Sequence, residues 1–212
     1  CSYLYTWVWD ATFVGGILFE EMDALIQFPV EIKTSCPPIG YSYCDLSTNT
    51  IYLEETHSQF DETSRFILLH EFGHHFDCAT NGGQFLRTQQ ASPLTGNDMN
   101  HGGYMNSTTS DSTYEGFATA FAVIVQTLGK AKNPHMANGY DLSQPGTHVA
   151  WRNLVGEELA IATLYCQMFE QFEDPLDFWQ VLKPDLKDFY EYYKAFEYAL
   201  AGRADALAVL EQ

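Results

Sequence analysis

The fold is decided by residues 65–80, which read RFILLHEFGHHFDCAT and contain the pattern His70-Glu71-x-x-His74. A helix turns about 100° per residue, so two histidines four residues apart lie on one face and can point at one ion. Glu71 lies about 100° around the helix from His70, where its carboxylate can reach a water on that ion without binding the ion. Residue frequencies give only about 0.02 such patterns by chance, so the spacing favours a metal centre with an adjacent base.

The sequence on either side predicts where this helix begins and ends. Residues 58–61 (SQFD) offer Ser and Asp side chains that can accept first-turn amides, and Asn81-Gly82-Gly83 ends a helix at about residue 80. Leu68, Phe72 and Phe76 recur every four residues and give the helix an apolar face for a core. The alternative is an amphipathic helix whose two histidines are simply solvated.

A catalytic zinc site needs a third protein ligand. The metzincin pattern requires Gly at 77 and His at 80, and Asp77 and Thr80 exclude that class. The best candidate is Glu115, which lies 41 residues after His74 at the start of a predicted helix over 112–128. Small residues at 118 and 122 let that helix approach the first one closely. The alternative role for Glu115 is a capping box, since residues 112–115 read Ser-x-x-Glu.

The remaining sequence predicts an α+β fold with a small sheet rather than a wound parallel sheet. A helix is predicted over 12–27, strands over 30–33 and 49–53, and irregular structure over 81–112 and 130–147. From residue 151 the chain is expected to be helical, with Pro175 and Pro184 each starting a helix. We expect one domain over 1–212, composed of a helix and small sheet (1–57), the two site helices (58–130) and a helical C-terminal part (131–212).

The composition limits the classes of function. The 212 residues carry 10 Lys+Arg against 28 Asp+Glu, a net charge of −18, which argues against nucleic acid and anionic membranes as partners. A hydrophobic content of 46% and an aromatic content of 15% predict a folded core. No apolar stretch approaches the ~20 residues of a membrane span. The oligomeric state is not predicted.

The cysteines and one sequon favour an extracellular, secreted protein. The five cysteines contain no CxxC pair; Cys36 and Cys44 flank a turn and can bridge locally, and Cys78 and Cys166 can pair if the fold brings them together. The chain begins at Cys1 without Met, so we expect that a leader or upstream segment has been removed. Residues 106–108 (NST) form a glycosylation sequon.

The combined pattern resembles a known family. The run H-E-F-G-H-x-x-D over 70–77, followed by E-x-F-A-x-A-F over 115–121, is similar to the gluzincin catalytic domain of anthrax lethal factor and to the small clostridial Pro-Pro endopeptidases of the same clan. The likeness covers about residues 50–126. It implies a zincin-like fold: a small mixed sheet with an edge strand, packed on a mainly helical domain with the HExxH helix at its centre.

The resemblance also implies residue roles. It assigns zinc binding to His70, His74 and Glu115, and the general base to Glu71. The family often carries an acid four residues after the third ligand, where this chain has Thr119.

The family also places a tyrosine seven residues before the third ligand, as a donor to the oxyanion, but this chain has Thr108 there. Tyr104 is the substitute we favour, with His101 next and Tyr114 also nearby. Asp77 can orient a ligand through its outer nitrogen or make a structural hydrogen bond elsewhere. His75 points about 100° away from His74 and is not expected to be a ligand.

These observations predict a secreted zinc metallo-endopeptidase that acts on a protein or peptide substrate. Residues 49–55 are expected to form the upper edge of the cleft and to pair with the substrate backbone. The acidic end of that strand and the charge of −18 predict a preference for basic or neutral substrates. Two alternatives stay open: a catalytically retired peptidase that serves as a binding or structural module, and a helical interaction protein that holds no metal.

Overall fold

The structure is a computed structural model, and it describes residues 30–34, 42–45, 47–54, 62–80, 109–128, 136–137, 140–141, 158–172, 174–182 and 189–203. The elements in these stretches are, in chain order, β1 (Glu31–Thr34), β2 (Tyr43–Asp45), β3 (Thr50–Leu53), α1 (Glu62–Thr80), α2 (Thr109–Leu128), β4 (Met136–Ala137), β5 (Tyr140–Asp141), α3 (Glu158–Phe169), α4 (Pro175–Leu182) and α5 (Phe189–Ala199). Helices predominate and three of the strands form one small sheet, so the predicted α+β class is confirmed.

The sheet is mixed, as predicted, but its edge is not where the sequence placed it. β3 lies between β1, which runs parallel to it, and β2, which runs antiparallel. Both sides of β3 therefore pair within the sheet, and the prediction that residues 49–55 form an open cleft edge is wrong. β2 was not predicted, because its three residues, Tyr-Cys-Asp, are too few to show an alternation of polar and apolar side chains.

The sheet packs on α1 through its apolar face. Ile51 and Leu53 of β3 are fully buried, and α1 contacts both β2 and β3. Leu68, Phe72 and Phe76, the predicted core face of α1, are also buried. α1 is thus held in one orientation, with its two motif histidines directed away from this face.

α1 and α2 pack closely and antiparallel. Residue 70 of α1 contacts residue 119 of α2, and residue 74 contacts residue 115, so the two chain directions are opposite. A Cβ atom added to Gly73 would lie 2.9 Å from the Cα atom of Ala118, so the two backbones approach as closely as the small residue at 118 predicts. α2 also contacts α3, and Trp179 of α4 packs its ring on Phe76 and Phe121 at 5.2 and 5.7 Å.

Other element bounds agree with the sequence in part. α1 ends at Thr80 and α4 begins at Pro175, as predicted. The irregular structure predicted over 130–147 is wrong in part, because β4 and β5 pair there as an antiparallel hairpin. The sequence between them, Asn138-Gly139, is a strong hairpin signal from which this pairing could have been predicted.

Some predictions fall on residues that the structure does not describe, namely the helix over 12–27 and the helix start at Pro184. Among the described side chains, Cys44 is not in a disulfide bond and Cys166 is a buried thiol, so neither of these two residues forms the bridge considered above. The side chains of Cys1, Cys36 and Cys78 lie outside the described residues. In the described part of the chain, no helix combines the length and apolar character needed to cross a membrane.

Candidate metal centre

Three potential metal ligands converge between α1 and α2. The Nε2 atom of His70 lies 3.2 Å from Oε2 of Glu115, and Nε2 of His74 lies 3.4 Å from the same oxygen. One ligand atom from each residue falls within 4.8 Å of the other two. Glu115 and His74 are buried and His70 is partly exposed, so the cluster has one side open to solvent. The structure therefore brings together the three ligands that the sequence predicted.

Two of the three separations are close to those of ligands on one metal ion. Two ligands at about 2.0–2.1 Å from a tetrahedral Zn²⁺ lie about 3.3 Å from each other. The two imidazole nitrogens lie 3.2 and 3.4 Å from the Glu115 oxygen. Without a metal, the 3.2 Å pair of His70 and Glu115 has the geometry of a direct hydrogen bond. The donor set of two imidazoles and one carboxylate is likewise one that zinc accepts.

Glu115 does not cap a helix. α2 begins at Thr109, three residues before the predicted start, so the backbone of Ser112 is already helical. A capping box requires the Ser at the N-cap, outside the helix, and the alternative role for Glu115 is therefore wrong. Its carboxylate instead lies in the second turn, almost fully buried against the two imidazoles. Burial of a carboxylate is costly unless it is paired, and a cation held by these three residues would stabilise it.

His70 is oriented by a hydroxyl group from α2. Its Nδ1 atom lies 3.1 Å from Oγ1 of Thr119, which is itself buried. When Nδ1 carries the proton and donates it to this oxygen, Nε2 presents its lone pair to a metal. Thr119 thus supplies the contact at the outer nitrogen that fixes this ring.

His74 has no such contact at its outer nitrogen. Its Nδ1 atom is buried, and no hydrogen-bond partner reaches it among the residues that the structure describes. Asp77 is buried on α1 but does not orient His74 through this nitrogen, which was one of the two roles considered for it. Instead the ring of Tyr114 lies flat on the imidazole, with centroids 4.1 Å apart and planes 16° apart.

Tyr114 and Glu71 are two further titratable residues that bear on the cluster. Burial, followed by the negative charge of Glu115, raises the pKa of the Tyr114 phenol far above its usual range; Glu71 and Asp77 add to the effect. Glu71, predicted to be the base, therefore acts electrostatically on Tyr114, the residue that stacks on His74, and it is 7% exposed.

His75 lies outside the cluster, as predicted. Burial and then the neighbouring His74 lower its pKa to about 4, which keeps it neutral at physiological pH. Its imidazole therefore adds no positive charge beside the ligands.

The predicted oxyanion donors Tyr104 and His101 lie outside the described residues. Tyr114 was expected only as an alternative donor, and its stacking on His74 was not predicted. The contact of Gly73 with α2 was not predicted either. A glycine on one helix and a small residue at 118 on the other were the signal for it.

Comparisons with known proteins give no relative from which the role of this site could be read. No family model matches the chain, and no curated protein or solved structure is significantly similar to it.

Proposed function

We propose that this protein is a secreted zinc-dependent endopeptidase that hydrolyses peptide bonds with a metal-activated water. The proposal rests on one observation above all, the convergence of His70, His74 and Glu115 within 4.8 Å of one another. These three residues would hold Zn²⁺ and leave a fourth position for water or substrate, as catalytic zinc sites do.

The choice of a hydrolytic zinc site over other metal sites depends on Glu71. Two histidines and one carboxylate also bind non-haem iron(II) in oxygenases, so the ligand set alone leaves the metal open. Glu71 adds a buried carboxylate next to the first ligand, on the helix that carries both histidines. A base in that position serves hydrolysis, where a water must lose a proton.

Each residue then has a defined task. Zn²⁺ held by these three residues would lower the pKa of a water and polarise the scissile carbonyl. Glu71 would accept a proton from the attacking water on its carboxylate and later pass it to the leaving amine. Thr119 holds the His70 ring so that Nε2 faces the ligand cluster. Tyr104, with His101 as the second choice, stays our predicted hydrogen-bond donor to the oxyanion.

The decisive experiment is Glu71→Gln in the full chain. We expect the unmutated protein to contain one zinc per chain and to cleave members of a mixed peptide library. Glu71→Gln should retain the zinc, because Glu71 is not a ligand, and should lose about 10²–10⁴-fold of the cleavage rate. The measurements are metal content by mass spectrometry and cleavage by peptide mass analysis.

The matched control is Glu197→Gln, which makes the same change on a partly exposed α5 carboxylate paired with Lys194 at 2.7 Å. It should keep both zinc and activity. Absence of a bound metal in the unmutated protein would favour the metal-free interaction protein. Zinc without cleavage of any library member would favour the retired peptidase, and iron in place of zinc would contradict the hydrolytic assignment.

A further inference from the structure

The two histidines of the cluster are held in different ways. His70 has a hydrogen bond at its outer nitrogen, from Nδ1 to Oγ1 of Thr119 at 3.1 Å. The outer nitrogen of His74 is buried and has no hydrogen-bond partner within the described stretches. A ligand histidine usually donates its other N–H to an acceptor, which fixes the ring orientation. Another contact must therefore orient His74.

Tyr114 supplies the face-to-face contact, and the His70 ring meets His74 edge-on at a centroid distance of 4.8 Å. The ring centroid of Tyr114 lies 4.1 Å from that of His74, at an interplanar angle of 16°. Stacked aromatic pairs commonly have centroids 4.5–7 Å apart, so this pair is in close face-to-face contact. Both side chains are buried, which leaves little room for the imidazole to tilt. Rotation of His74 about its Cβ–Cγ bond would drive the ring edge into the phenol.

We propose that Tyr114 is a positioning residue that sets the plane of the His74 ring and so directs Nε2 toward the metal. Tyr114 directly precedes Glu115 on α2, so one turn of helix carries both a ligand and the support of another ligand. Nε2 of His74 accordingly lies 3.4 Å from the Glu115 oxygen. The inference rests on the metal site of the proposed function, but it does not require peptide cleavage.

The test compares Tyr114→Phe with Tyr114→Leu. Phe keeps the flat ring and removes the hydroxyl, whereas Leu keeps an apolar side chain and removes the flat ring. We expect the Phe variant to bind Zn²⁺ within about threefold of the unmutated affinity, and the Leu variant to bind about 10–100-fold more weakly. Affinity is measured by chelator competition, and the visible absorption bands of the Co²⁺-loaded proteins report the ligand geometry.

Unfolding in the presence of EDTA separates a loss of fold from a loss of positioning. If Tyr114→Leu fails to fold, Tyr114→Met serves instead, because its flexible side chain fills irregular space. Unchanged affinity and Co²⁺ bands in the Leu or Met variant would overturn the inference and leave the metal site intact. Equal weakening in Phe and Leu would overturn it in favour of the hydroxyl. Failure of the unmutated protein to bind Zn²⁺ or Co²⁺ would overturn the proposed function as well.

Discussion

Thr119 supports the site through a neutral hydroxyl group rather than a carboxylate. A threonine hydroxyl can accept the Nδ1 proton of His70 and so select the tautomer whose Nε2 lone pair faces the cluster. A carboxylate would do the same and would also make the imidazole a more basic ligand. The hydroxyl therefore fixes geometry without adding a negative charge beside the buried Glu115 carboxylate.

This arrangement predicts a difference between two small substitutions. Thr119→Val keeps the shape of the side chain and removes the acceptor, so we expect Zn²⁺ to bind about 10–100-fold more weakly. Thr119→Ser keeps the hydroxyl and should stay close to the unmutated affinity. Chelator competition measures both values. Equal affinities for the Val and Ser variants would show that the 3.1 Å contact does not support His70.

At the scale of elements, the sequence predicts what local spacing determines and misses what the packing of two helices determines. His70 and His74 share a face because of the helical repeat alone, so their pairing was predictable. The contacts of Tyr114 and Thr119 depend on how α2 is rotated and shifted against α1. The small residue at 118 indicates the face of α2 that approaches α1, but the local pattern does not fix where α2 begins. The capping alternative therefore stayed open until the start of α2 was known.

The close approach of the two helices predicts the effect of Gly73→Ala. The new Cβ would meet the Ala118 Cα at 2.9 Å and its carbonyl oxygen at 3.1 Å, both backbone atoms that cannot move aside cheaply. Overpacking costs about 1–3 kcal/mol, against a gain of about 1 kcal/mol in helix propensity. We expect urea unfolding of the metal-free protein to show a net loss of about 1 kcal/mol. Zn²⁺ should also bind more weakly, because α1 and α2 are forced apart.

A second glycine supplies the control for this prediction. Gly202 follows α5 with a φ of 91° and has no atom within 4 Å of an added Cβ. Gly202→Ala should lose stability through backbone strain of about 1–2 kcal/mol and leave Zn²⁺ affinity unchanged. An unaltered or increased stability in Gly73→Ala would mean that the helices adjust freely, and the close packing would then have no part in holding the ligands.

At the scale of the whole molecule, the charge balance bears on what the cleft accepts. The net charge is −18, and a dication held by one carboxylate would cancel little of it. Clefts lined by one sign of charge concentrate ligands of the opposite sign and repel like-charged ones. The proposed peptidase therefore operates in a negative potential, whichever strand pairs with its substrate.

This potential predicts that peptides with lysine near the scissile bond are cleaved faster than matched peptides with glutamate there. The difference should be largest at low salt and shrink at high salt, since the Debye length falls from about 10 Å at 0.1 M to about 3 Å at 1 M. Comparing kcat/KM for the two peptides at both salt concentrations measures it. Equal rates for both peptides at low salt would contradict the idea. A preference that persists at 1 M salt would instead locate the selectivity in direct contacts within the cleft, because such contacts are desolvated and escape screening.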